Sequence, residues 1–137
     1  MIVNRRMIPA MRILAVLLLA AGGVSAEEVI VISHLGTTLS AMEVKDVFLG
    51  EKQFAGSTKL VPVDNSAAQE SLISKVLRIN SSKYSSVWTK KSFRDGTNPP
   101  PVRSGDAATL EFVRMTPGAV GYVAGGPTSG VNVVGKF

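Results

Sequence analysis

The chain contains no cysteine. Disulfide staples, thiolate metal ligands, a cysteine nucleophile and lipid attachment through cysteine are therefore excluded. It contains one histidine, His34, so a multi-histidine metal centre within a single chain is excluded as well. No Gly-x-Ser-x-Gly nucleophile motif is present, and no pair of carboxylates stands out as an acid–base couple. There is no internal repeat and no low-complexity tract. Nothing in these absences suggests a cofactor, a metal or an enzyme.

What is present begins with an unusual amino-terminal segment. Arg5, Arg6 and Arg12 precede an apolar run from Ile13 to Ala21, and Val24-Ser25-Ala26 follows with small residues. A positive region, a short apolar region and an Ala-x-Ala-like end together predict a signal peptide over residues 1–26. The apolar run is shorter than the roughly 20 residues a spanning helix needs. The alternative is an uncleaved membrane anchor. The expected location is the bacterial periplasm, with residues 27–137 as one α/β domain.

Removing the leader alters the charge balance. All ten acidic residues but only 12 of the 15 basic ones lie beyond residue 26, so the net charge falls from +5 to +2. That is too little to argue for nucleic acid.

Along the domain, Val29-Ile30-Val31-Ile32-Ser33 is apolar at consecutive positions, which predicts a strand covered on both faces. Ser40 and Glu43 form a capping-box pattern, Met42, Val44, Val47 and Phe48 supply an apolar helix face, and Gly50 stops the helix. Leu60–Asp64 is a second strand, placed at an edge or irregularity by Pro62. Ser66 with Gln69 repeats the capping pattern before an inward face of Leu72, Ile73, Val76 and Leu77. Asn80 or Ser81 caps a third helix carrying Tyr84, Val87 and Trp88, which ends near Phe93. After the stiff Pro99-Pro100-Pro101 segment, a fourth helix runs from Ser104 to about Met115. Strands at Ala119–Val123 and Val131–Val134 close the chain. The order β-α-β-α-α-α-β-β implies an α/β fold with a mixed, mostly parallel sheet flanked by helices.

Ligands of open α/β sheets sit at the carboxyl ends of strands. Two such ends are polar here. One carries Ser33, His34 and Thr37; the other carries Asn65 and Ser66, leading into a helix start that could hold an anion. The plain alternative for Ser66 is a simple N-cap, and for His34 an ordinary loop histidine. Lys83, Lys90, Lys91, Arg94 and Arg103 read either as a solvated basic face or as a surface that attracts an anion or a partner.

Val47-Phe48-Leu49-Gly50, the Leu60–Asp64 strand, Trp88 with Phe93 and Pro99-Pro100, and Pro117–Val123 follow one another in an order that resembles phosphate-type periplasmic substrate-binding proteins. The resemblance implies a single lobe of the type 2 periplasmic binding protein fold. It further implies that the ligand is phosphate or another small oxyanion, passed to an ABC permease. Full-length members place an arginine and a Ser-Gly-Thr turn after the second strand. Here Asp64-Asn65-Ser66-Ala67-Ala68 stands in that place, so only Ser66 carries over. Two lobes need about 250 residues, beyond the usual range of one domain. The expectation is therefore a lobe that binds an oxyanion weakly, or that completes its cleft against a second chain such as another copy of itself. The alternative is an interaction or scaffold protein, docked to another envelope component, that kept the fold and lost the ligand.

Overall fold

The computed structural model describes residues 28–137, so the expected signal segment and the first domain residue lie outside it. Strand β1 (Ile30–His34) forms where the sequence is densest in β-branched residues. A one-turn 3-10 segment (Ala41–Glu43) leads into helix α1 (Val44–Phe48). The Glu43 carboxylate accepts the Ser40 backbone N–H at 2.9 Å, the reciprocal bond expected of the capping pattern. Met42 lies on the tight first turn and is 89% exposed, so the buried face consists of Val44, Val47 and Phe48 without it.

A small hairpin, β2 (Phe54–Ala55) with β3 (Thr58–Lys59), precedes the extended segment β4 (Val61–Pro62) and β5 (Asp64–Asn65). Helix α2 (Gln69–Leu72) loosens into a π-helical turn (Ile73–Leu77), and Arg78 in the left-handed region ends it. Helix α3 (Ser81–Asp95) starts on Asn80, whose side chain accepts the Lys83 N–H at 2.8 Å. It runs past Phe93 and closes on Gly96. Strand β6 (Val102–Arg103), helix α4 (Asp106–Met115), β7 (Ala119–Val123) and β8 (Val131–Lys136) complete the order.

The main sheet has the order β4-β7-β1-β8 and is covered on both faces. Alternation along β1 and β7 divides their side chains between two cores. Val29, Val31, Val120 and Tyr122 meet α1, the α2 segment and α3 on one side. Ile30, Ile32, Ala119 and Val123 meet Leu110 and Val113 of α4 on the other. This is the physical meaning of the uninterrupted apolar run. At Gly121 the approach of α4 is so close that a Cβ would stand 3.0 Å from methyl groups of Thr109, Val113 and Val63.

The mixed α/β architecture is as expected. Two pairs run parallel, β4 with β7 and β5 with β6. β1 runs antiparallel to both of its neighbours, β7 and β8. Pro62 does lie on the edge strand. The Val61 N–H donates to the Gly118 carbonyl just before β7 and the Val63 N–H to Val120 within it, both at 2.8 Å, and Pro62 between them sits where no donor is needed. Two residues later the segment changes partner, and Asp64 and Ser66 donate to Pro101 and Arg103 instead.

Candidate functional site

The antiparallel setting of β1 separates the two polar strand ends. Ser33 pairs with Val120 near the start of β7, whereas the Asn65 side chain reaches the Tyr122 carbonyl near its end. Ser33, His34 and Thr37 therefore lie at one end of the sheet, and Asn65 and Ser66 at the other. They do not form one site.

At the first end the polar groups tie down a loop. Ser33 Oγ donates to the Thr37 carbonyl at 2.8 Å, and Gly36 N–H donates to His34 Nδ1 at 3.0 Å. Asn132 Nδ2 spans the carbonyls of His34, Leu35 and Thr37 at 3.1 to 3.2 Å. Thr37 is buried, and its hydroxyl has no hydrogen-bond partner.

At the second end the turn is built by Asn65 rather than Ser66. Asn65 is fully buried, and its Oδ1 accepts the Ala67 N–H at 2.9 Å. Its amide donates to Asp106 Oδ1 at 2.8 Å and to the Tyr122 carbonyl at 2.9 Å. Ser66 is exposed within the turn, its N–H donates to the Arg103 carbonyl at 2.9 Å, and the N-cap position of α2 falls on Ala68. The expected Ser66 cap is thus replaced by an Asx turn, in which Asn65 takes the Ala67 N–H instead.

Parallel pairing of β5 with β6 sets Arg103 beside Asn65. The Arg103 guanidinium stacks 4.4 Å from the Phe112 ring centroid, and its Nε is buried without a hydrogen-bond partner. Ser104 and Gly105 follow, and α4 begins with ten residues of aligned dipole and no side-chain cap. An arginine thus stands beside Asn65 in space, on the neighbouring strand. Its signal in the sequence was its position at a strand end directly before a helix start, the same pattern that singled out Asn65-Ser66. Proximity in sequence to α3 had grouped it with a basic face instead.

One carboxylate competes for the donors at this end. Asp106 accepts the N–H groups of Ala124 and Gly125, at 3.1 and 3.3 Å, besides the Asn65 amide. An internal anion therefore already occupies part of the strand-end donor set.

Just beneath lies a buried acid. Asp64 accepts a hydroxyl bond from Tyr122 at 2.7 Å and another from Tyr84 at 2.9 Å, joining β5, β7 and α3. Burial pushes its carboxyl above the usual range, and the two phenol bonds only partly oppose this. Burial, then the Asp64 charge, raises both phenols in turn. Among the described residues no group of three or more acidic or histidine side chains is placed to hold a metal. No described helix is long and apolar enough to cross a membrane.

No family model matches the chain, and no curated protein matches it. Solved structures do. One is a crystal structure, with phosphate bound, of a protein assigned as a phosphate ABC transporter substrate-binding protein from Clostridium perfringens. The match has a TM-score of 0.47 and 15% identity, and it covers 79% of this chain. The chain spans 44% of that protein, less than half its length.

Proposed function

We propose that this protein is an exported, non-enzymatic, solute-binding-like module that takes phosphate or another small oxyanion at the Ser66–Arg103 end of its sheet. Binding is weak in the isolated chain, or is completed by a partner chain that supplies the second wall. The observation that carries this reading is Arg103. A guanidinium with a buried, unpartnered Nε stands between an exposed serine turn and an uncapped helix start. Fixed planar donors beside a helix dipole suit an oxyanion. The ordered sequence blocks that resemble phosphate-type binding proteins support the same reading.

Asp106 favours a second reading, an interaction or scaffold protein that kept the framework. Its carboxylate holds the Ala124 and Gly125 N–H groups that an incoming anion would otherwise use.

Isothermal titration of the purified protein with phosphate, sulfate and molybdate at millimolar concentration tests the first reading. The oxyanion reading expects saturable heat with at least one anion, reduced on the order of tenfold or more in affinity by Arg103→Ala, since loss of a charge-assisted bond of about 1.5–3 kcal/mol has that size. Absence of heat from all three anions in a folded sample removes the stand-alone binder and leaves the partner-completed lobe and the scaffold.

A further inference from the structure

A groove of about 440 Å³ opens between the loop after α1 and the proline segment before β6. Leu60, Pro62, Trp88 and Pro99 form much of its wall, and Lys52 and Lys59 line it as well. No acidic side chain lines it. It is lined from Lys59 through Pro62 and from Gly96 through Pro101, and Arg103 is not part of its wall.

We propose that this groove binds an amphipathic organic anion, a carboxylate carrying an apolar chain or ring. Its volume falls within the range of small-molecule sites, about 300–1,000 Å³. Apolar walls with two cations and no acid match an apolar body bearing one negative group. A bare inorganic oxyanion would leave the walls wet and gains nothing from them. Both cations can reach a ligand. Lys59 is exposed, with Nζ 5.4 Å from the Phe54 ring centroid. Lys52 holds Glu43 at 3.3 Å in a partly exposed ion pair, which is worth little and readily exchanged. The remaining wall is stiff. Three consecutive prolines have little conformational freedom to lose on binding, and Trp88 is pinned by its Nε1–H donating to the Phe48 carbonyl at 3.1 Å. This site goes beyond the oxyanion reading and stands on different residues.

Trp88 is the single tryptophan of the chain and lies in the groove wall, so its emission reports occupancy. The test titrates the purified protein with octanoate, protonated octylamine and 1-octanol. The expected result is a saturable emission change with octanoate and an affinity on the order of tenfold weaker for octylamine, a difference of about 1.4 kcal/mol. The double variant Lys52→Glu, Lys59→Glu should lose octanoate binding while its circular dichroism is unchanged. Should that variant misfold, Lys52→Gln, Lys59→Gln serves the same purpose. Arg103→Ala should leave octanoate binding intact. No saturable response, equal binding of octylamine, or undiminished octanoate binding in the folded lysine variant would each overturn the proposal. Phosphate heat reads the Arg103 surface, whose residues do not line the groove, independently.

Discussion

At the residue scale, Asp64 is the residue whose chemistry departs furthest from its surroundings. Its carboxyl is raised in the folded state, chiefly by burial, relative to an unfolded value of about 3.9. The folded protein therefore holds the proton more tightly than the unfolded chain. The stability this contributes is fully present below the unfolded value and is lost as pH rises through the folded one. Asp64→Asn keeps the shape and removes the titration. Urea unfolding of the wild type should show stability falling as pH rises above about 4, with the variant losing part of that slope; identical slopes would refute this role for Asp64. Gly118 supports a second residue-scale prediction. It lies at φ 84°, and a Cβ there would run into the Lys59 carbonyl oxygen. Backbone cannot yield as a flexible side chain can, so Gly118→Ala should cost about 1–3 kcal/mol or more in denaturant unfolding.

At the element scale, β1 explains both what was legible and what was not. Its continuous apolar run was readable because burial on two faces leaves a local mark, consecutive apolar residues. Its direction left no such mark. Pairing is chosen by hydrogen bonds to Val120–Val123 and Val131–Lys136, some ninety to a hundred residues distant in sequence. That choice sent His34 and Thr37 to the end of the sheet away from Asn65. The loop after β1 consequently depends on Asn132, whose one amide serves three carbonyls. Asn132→Ala leaves those acceptors without their shared donor and should destabilise by about 1–3 kcal/mol. Hydrogen exchange should speed up at Gly36 and Thr37 before other regions, and unchanged exchange there would contradict the role given to Asn132.

For the whole molecule, two cores share one sheet. Val31 and Ile32 are neighbours in the chain and belong to opposite faces, so neither core can dissolve while the other keeps its strands. Unfolding should be two-state, with Trp88 fluorescence and far-ultraviolet circular dichroism tracing one transition. A fluorescence change that precedes the loss of circular dichroism would show that the α3 side opens separately.

The sequence by itself determined the class, most element positions and the layering. The continuous apolar run at Val29–Ile32, capping residues such as Asn80, and Pro62 at an edge all act over a few residues, and their physics is local. The tertiary structure alone decided which polar residues meet. Asn65 took the turn from Ser66 because its side chain could also reach Asp106 and Tyr122, which are distant in sequence. Arg103 came to the strand end because β6 pairs with β5, and Asp64 became a buried acid because Tyr84 and Tyr122 arrive from a helix and a strand. These contacts depend on long-range pairing, whose partners no short stretch of sequence specifies.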